Sequence, residues 1–282
     1  MNPLLKHITL TSASALTTAK IGGAVWTLRP SSAGELAFFV SELERAGVKY
    51  MPVGGGSNLI VSDRPKTVAV STSAFNLVES SGRKIYAGAG ARLSEIMRTA
   101  EKNGLSGVEF WAGIPATFGG AVKMNAGAFS SETMDKVIYI DVLTGGKVKR
   151  LWKGGINYGY RHTDIDGIIL GGAIALEPSS PDTIHQKTRE YLEKRRQTQP
   201  AGKSAGSVFK KAGGVGAGKY LDLAGLKGKR FGGAVVSEKH AGFFLNDGGA
   251  TFEDFRRLAD YAADKVWQKF GVKLEKEVVY FE

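Results

Sequence analysis

The sequence predicts an α+β chain, and three observations carry that expectation. Apolar runs of strand length, such as Val137–Leu143, Val148–Leu151 and Ile168–Leu176, follow one another through turns, an open or antiparallel arrangement rather than a βα repeat. Helical periodicity is confined to separate stretches, near 31–47, 93–102, 181–198 and 251–271. The charged stretch Pro181–Thr198 and Gln199-Pro-Ala-Gly202 after it form a joint beyond which a new unit begins. At 282 residues, with 43% of them hydrophobic, the chain is long enough for more than one cored unit.

Taken in order, Ser31 or Ser32 caps a helix whose inner face is Leu36, Phe39, Val40 and Leu43 and which Gly47 ends. Strands at Tyr50–Val53 and Leu59–Ser62 flank Gly54-Gly-Gly-Ser-Asn58. That loop reads either as a plain turn or as a nest of N–H donors for phosphate oxygens, with side-chain help from Ser57 and Asn58. Further strands follow at Thr67–Ser71 and Lys84–Ala87, then a helix over Leu93–Lys102 stopped by Asn103-Gly104. In the last third, Thr251 caps a long helix with Asp254 at the capping-box position, and Phe255, Leu258, Ala262, Val266 and Phe270 repeat at helical spacing as core. Gly271 ends that helix, and Val272–Tyr280 reads as a final strand with Glu275 and Glu277 on one face.

The stretch from Gly107 to Phe129 is too rich in glycine, with Pro115 and small alanines, for an ordinary helix or strand. Gly113, Gly119, Gly120 and Gly127 make sense where backbone N–H groups meet a ligand with no Cβ between, and a buried tight turn is the alternative. Arg161, inside Tyr158-Gly-Tyr-Arg-His-Thr163, reads equally as a surface cation stacked on a ring or as a carboxylate clamp. Ser207 alone reads as a turn hydroxyl bonding its own backbone.

Composition excludes several chemistries. With no cysteine there are no disulfides, thiolate metal sites or sulfur-linked cofactors, and with four histidines no metal centre is expected. A net charge of +11 calls for anionic partners, among which a dinucleotide, a diphosphate sugar and a nucleic acid all qualify. No apolar run of about eighteen residues appears, and the start, Met1 to Leu10, lacks the apolar core of a signal peptide, so a cytoplasmic protein is expected. Two nucleotide-loop motifs fail on inspection. Gly88-Ala-Gly90 sits between strand and helix as a Rossmann fingerprint would, yet Leu93 occupies the third glycine's place. Gly213-Gly-Val-Gly-Ala-Gly-Lys219 ends in Tyr220 where a phosphate loop needs a hydroxyl for magnesium.

Gly113-Ile-Pro-Ala-Thr-Phe-Gly-Gly-Ala121 and Met124-Asn-Ala-Gly127 resemble the flavin-contacting loop of the UDP-N-acetylenolpyruvoylglucosamine reductases. Gly54–Asn58, Tyr160-Arg161, Ala205-Gly-Ser-Val-Phe-Lys210, the Leu226–Asn246 block and Leu274-Glu-Lys-Glu-Val278 are similar to that family in order and spacing, from about Thr17 to Val278. The resemblance implies a two-lobed FAD-binding domain of the vanillyl-alcohol-oxidase type (lobes 1–74 and 75–180) and an α+β substrate-binding domain with its linking helix (181–282). It implies noncovalent FAD, NADPH as reductant, and reduction of UDP-N-acetylglucosamine enolpyruvate to UDP-N-acetylmuramate for peptidoglycan. A monomer working on small molecules, with neither nucleic acid nor membrane as partner, is expected.

By the same resemblance the cofactor is held by Gly54, Gly55, Gly56, Ser57, Asn58, Gly113, Ile114, Pro115, Thr117, Gly119, Gly120, Ala121, Asn125, Ala126, Gly127 and Arg161. Arg161, Ser207 and Glu277 are the implied catalytic residues: Arg161 polarises the substrate carboxylate, Glu277 helps as a protonated partner and Ser207 donates the proton. Lys210, Lys211 and His240 are the implied substrate contacts. The chain departs from the pattern at Lys211-Ala212, where relatives often carry Asn-Pro, at Gln199 for a lysine and at His240 for a glutamine. Two rival readings are an oxygen-using oxidase on the same flavin fold and a basic nucleic-acid-binding module. The first often tethers flavin through His or Cys, which the matching loops lack; the second rests on net charge alone.

Overall fold

A computed structural model of the chain describes residues 7–282, so the reading of the extreme N-terminus falls largely outside the described residues. The chain forms two compact units. One comprises Thr27–Gly55 and Val68–Arg195 with the described part of Met1–Thr9; the other comprises Leu10–Trp26, Gly56–Thr67 and Arg196–Glu282. No helix among the described residues is long and apolar enough to cross a membrane.

In the first unit, Tyr50–Val53 runs parallel to Val68–Ser71, which also pairs in parallel with Thr27 and Leu28. The helix Ala33–Arg45 covers this layer. Ser32 caps it by accepting the Glu35 amide, and Leu36, Phe39, Val40 and Leu43 pack with Leu28, Val68 and Val70. The second layer is a five-stranded antiparallel sheet in the order Lys147–Trp152, Val137–Thr144, Ile168–Ala175, Lys84–Gly88, Val78–Ser81. Ile168–Ala175 is central and buried through seven of its eight residues, as its unbroken apolar run requires. Helix Leu93–Lys102 packs beside this sheet through Leu93, Ile96 and Ala100.

The glycine-dense stretch is more regular than its composition predicts. It contains a 3-10 turn at Glu109–Trp111 and an α-helix at Phe118–Lys123, whose Phe118, Gly119, Ala121 and Val122 are buried. Glycine costs helical stability, but a Cβ on Gly119 would lie 2.8 Å from the Cβ of Ala89, so only glycine allows this helix to pack so closely. The Rossmann-like glycines have the same cause: a Cβ on Gly88 or Gly90 would collide with the carbonyl of Phe75 or Thr72.

In the second unit, Leu59–Val61 pairs in parallel with Val279–Phe281, and Arg230–Phe231, Ala234–Val236 and Phe244–Asn246 form an antiparallel sheet. Helix Phe252–Phe270 closes the core. Thr251 and Asp254 form its capping box, Gly271 ends it at φ 65°, and Phe255, Leu258, Ala259, Ala262 and Val266 are buried. The continuous strand expected over Val272–Tyr280 is replaced by an isolated bridge between Lys276 and Phe209, followed by the short strand Val279–Phe281. The expected alternation fails because Lys276 is drawn to Asp260 on the long helix, 2.7 Å away, while Glu275 turns outward to Lys210. At the phosphate-loop look-alike, Gly213 and Gly214 are plain turn glycines with positive φ and open space around them, and helix Ala217–Leu223 follows.

Candidate functional site

In the first unit the two glycine loops meet. A Cβ on Gly54 would overlap the Thr117 hydroxyl, and one on Gly55 would lie 3.1 Å from the Pro115 carbonyl oxygen. Gly54, Gly55, Gly113, Pro115 and Gly120 are exposed, so together they present a lip of bare backbone, while Thr117, Gly119 and Ala121 lie buried beneath it. Five of the amides from which ligand contacts are expected are engaged inside the protein. Ile114 donates to Trp111, Gly119 to Ala89, Ala121 to Thr117, Asn125 to Val122 and Ala126 to Ala121. These five N–H groups hold the loop in shape rather than facing a ligand. The Thr117 hydroxyl differs: it is buried and has no hydrogen-bond partner among the described residues.

Asn125 is fully buried and holds the next turn together. Its Nδ2 donates to Glu132 at 2.8 Å and to the Gly159 carbonyl at 3.0 Å, and its Oδ1 accepts the Met134 amide at 3.0 Å. The bond to Gly159 fixes the hairpin in which Tyr158 pairs with Thr163 and Gly159 with His162, leaving Tyr160 and Arg161 as its two-residue turn. Of the two sequence readings of Arg161, the cation on a ring is the one seen here. Its guanidinium lies 4.7 Å from the Tyr160 ring centroid and also donates to the Gly127 carbonyl at 2.9 Å. Arg161, Asn125, Phe129 and Ser130 all have φ between 40° and 62°. Left-handed backbone costs a non-glycine residue about 1–2 kcal/mol, so four in one place mark a conformation imposed by its surroundings.

The second unit places Ser207 and Glu277 on neighbouring extended segments. Ser207 bridges Phe243, Val208 donates to Gly242 at 2.9 Å, and the Glu277 amide donates to the Val208 carbonyl at 2.8 Å. Asn58 gives its side-chain amide to the Glu277 carbonyl at 2.9 Å, and its own carbonyl accepts from Val279. Gly56, at φ 60°, presses on Leu16: a Cβ there would overlap the Leu16 carbonyl. Ser57 is half-buried beside it.

Of the expected substrate contacts, Lys210 is ion-paired with Glu275 and its amide donates to the Glu275 carbonyl at 2.8 Å, whereas Lys211 is exposed. His240 is the turn residue of Ser237–Gly242. Its Nδ1 accepts the Gly242 amide at 3.0 Å, which fixes the Nε2–H tautomer, and its ring meets Phe243 edge-on at 5.0 Å. A Cβ on Gly218 would lie 2.7 Å from that ring, so the imidazole covers the Ala217–Leu223 helix, and burial lowers its pKa.

Sequence reasoning passed over Arg195. The stretch Pro181–Thr198 reads as a polar helix, yet Ile184, Tyr191, Leu192 and Arg195 recur at helical spacing and are its more buried positions. An arginine continuing an apolar stripe is the signal that was available.

Residues 24–152 match the family described as FAD binding domain, and residues 197–281 match the C-terminal domain of UDP-N-acetylenolpyruvoylglucosamine reductase. A UDP-N-acetylenolpyruvoylglucosamine reductase from Geobacter metallireducens is 38% identical over 268 residues, covering 93% of this chain and 89% of that one. The chain belongs to the UDP-N-acetylenolpyruvoylglucosamine reductase family. The crystal structure of a reductase of that family from Thermus caldophilus superimposes with a TM-score of 0.85 at 30% identity, covering 98% of this chain and 99% of that one. A berberine bridge enzyme, 17% identical, shares the fold alone, with a TM-score of 0.51 over 64% of this chain and 44% of that one. The fold class is thus α+β, an FAD-binding domain of the vanillyl-alcohol-oxidase type followed by the C-terminal domain of the reductase family.

The residues present fit FAD. A flavin dinucleotide needs close backbone approach and a few directed hydrogen bonds. The lip of Gly54, Gly55, Gly113 and Gly120 supplies the first, and the buried hydroxyl of Thr117 stands beneath it with no protein partner among the described residues.

Proposed function

We propose that the chain catalyses the NADPH-driven reduction of UDP-N-acetylglucosamine enolpyruvate to UDP-N-acetylmuramate with noncovalently bound FAD. It does so as a monomer in the cytoplasm, in peptidoglycan precursor synthesis, and so serves cell wall biogenesis, cell shape and the division cycle. Family membership supports the reaction, and the observation that carries the site assignment is the Glu277 amide on the Val208 carbonyl, one residue from Ser207.

FAD, when bound, would supply the hydride chemistry that links NADPH to the terminal vinyl carbon of the enolpyruvyl group. This chain's residues manage what that addition leaves behind: carbanion character beside a carboxylate, and a proton still to be delivered. Arg161, already oriented by Tyr160 and the Gly127 carbonyl, holds and polarises the carboxylate. Glu277 in its protonated form shares that load, and its position is fixed through main-chain bonds to Val208 and Asn58. The Ser207 hydroxyl gives the proton to C2; against so basic a carbon, position counts for more than acidity. Lys210, Lys211 and the Nε2–H of His240 are assigned to the sugar nucleotide, with Lys210 exchanging Glu275 for a phosphate oxygen.

The test is product analysis. Flavin-loaded protein, NADPH and the enolpyruvyl sugar nucleotide yield a product heavier by two hydrogens for each NADPH consumed. NADPH consumption that depends on oxygen and leaves the sugar nucleotide unchanged would make the chain an oxidase instead.

A further inference from the structure

Asn125 is fully buried at φ 40°, and each polar atom of its side chain is engaged. Oδ1 accepts the Met134 amide at 3.0 Å, while Nδ2 gives one hydrogen to Glu132 Oε2 at 2.8 Å and the other to the Gly159 carbonyl at 3.0 Å. These partners admit a single orientation of the amide: an N–H can face only Oδ1, and a carboxylate or a carbonyl only Nδ2. Glu132 is the charged acceptor among them, so its bond aims the amide most firmly. Its own main chain is held in turn, the Glu132 amide donating to Asp135 at 2.8 Å.

Gly159 carries the turn Tyr160-Arg161. Two-residue hairpin loops favour a positive φ at the first central residue, which matches the twist of the strands. The neighbouring hairpin, Gly127–Ala128 with Ser131–Glu132, obeys: Phe129 and Ser130 lie at φ 52° and 62°, and the Phe129 ring stacks on Tyr191 at 4.0 Å. In the hairpin of Tyr158-Gly159 with His162-Thr163, only the second central residue, Arg161, has a positive φ. Glycine is usual at such a place, and an arginine there costs about 1–2 kcal/mol. Tyr158, Tyr160 and His162 are exposed, so apolar burial does little to hold this tip. The base is closed by Asn157 on Asp164 and by the Thr163 hydroxyl on the Lys123 carbonyl at 3.0 Å. Nearer the tip, Asn125 grips the Gly159 carbonyl from beneath, and its own carbonyl oxygen lies 3.5 Å from Arg161 Nη1.

We propose that Glu132 and the Asn125 side chain are positioning residues for Arg161. The Glu132 carboxylate aims the Asn125 amide, and that amide holds the Gly159 carbonyl and with it the unfavourable turn from which Arg161 reaches the substrate carboxylate. This rests on the role proposed above for Arg161. Both side chains act on the arginine through the main chain of the hairpin.

A double-mutant cycle in the flavin-loaded protein tests this, with Glu132→Met, which keeps the bulk and removes the acceptor, and Arg161→Lys, singly and together. Glu132→Met lowers kcat/KM for the enolpyruvyl sugar nucleotide by about tenfold, and Glu132→Gln, whose side-chain oxygen still accepts from Asn125, stays within about threefold of wild type. In the Arg161→Lys background Glu132→Met adds less than about twofold, because the group it serves is already altered. The same loss repeated in full in that background overturns the proposal. Where Glu132→Met does not fold, Asn125→Asp combined with Glu132→Gln takes its place. There the glutamine amide donates to the new carboxylate, the Met134 amide keeps its acceptor and only the donor to Gly159 is lost; the same loss and the same non-additivity with Arg161→Lys are expected.

Nitrogen–proton NMR of the arginine side chains reads the positioning without turnover. The Nε–H signal of Arg161, assigned by its absence from Arg161→Lys, has a heteronuclear NOE that falls in Glu132→Met and in the combined variant and holds in Glu132→Gln. An NOE unchanged in all of them refutes the positioning. If the wild type does not reduce the sugar nucleotide, or Arg161→Lys costs nothing, the role assigned to Arg161 falls, and the NMR comparison alone decides whether Glu132 and Asn125 hold it in place.

Discussion

The side-chain amide of Asn58 donates to the main-chain carbonyl of Glu277 at 2.9 Å, tying the end of the first glycine loop to the segment that carries an assigned catalytic carboxyl. The parallel pairing of Leu59–Val61 with Val279–Phe281 begins immediately beyond it, so Asn58 sets where that pairing starts. Replacing Asn58 with Ala leaves the Glu277 carbonyl without this donor and costs about 1–3 kcal/mol of stability. Denaturant unfolding measures that loss, and stopped-flow mixing will show slowed flavin reoxidation by the enolpyruvyl sugar nucleotide with flavin reduction by NADPH unchanged.

Ser207→Ala keeps flavin reduction by NADPH and blocks reoxidation by the sugar nucleotide. Arg161→Ala and Glu277→Gln show the same split. Loss of one positioned proton donor or charge stabiliser lowers turnover on the order of 10²-fold or more. A Ser207→Ala protein that reoxidises at the wild-type rate would assign the proton to another group.

The Thr117 hydroxyl gives the sharpest test of the cofactor loop. Thr117→Val keeps the shape and removes a buried hydroxyl that has no partner among the described residues. The flavin-free protein should therefore keep or gain stability, while FAD affinity falls by about three- to tenfold, the worth of one hydrogen bond. Differential scanning fluorimetry without FAD and a binding titration with it separate the two effects.

His240 gives a pH signature. Its folded pKa lies below the unfolded value, burial being the main cause. Both states are neutral above the unfolded value of about 6.5, so its contribution is complete there. As pH falls through that value the unfolded chain takes up the proton first, and stability is lost progressively down to the folded pKa. His240→Asn removes this component, and the difference in unfolding free energy between wild type and variant, followed from pH 8 to 5, should narrow on the acid side.

Much of this was legible beforehand where local chemistry decides. Ser32 and Thr251 cap helices through their hydroxyls, Gly271 ends one because it lacks a Cβ, and the stripe of Phe255, Leu258, Ala262 and Val266 is core. What could not be read depends on partners distant in sequence. The Phe118–Lys123 helix exists among glycines because Ala89 lies against it, and the fate of Val272–Tyr280 was set by Asp260 on another element. Arg195 shows the same limit: its helix is evident from sequence, but the platform of Phe129 and Tyr191 that holds its guanidinium is a tertiary fact.

The most direct measurement is the visible spectrum of the purified protein, followed without oxygen through two additions. The account predicts bound flavin that an acid precipitation releases into the supernatant, bleaching on addition of NADPH, and return of the oxidised spectrum on addition of the enolpyruvyl sugar nucleotide. A protein that holds no flavin after reconstitution with FAD, or whose bleached flavin stays bleached in the presence of that substrate, would contradict it.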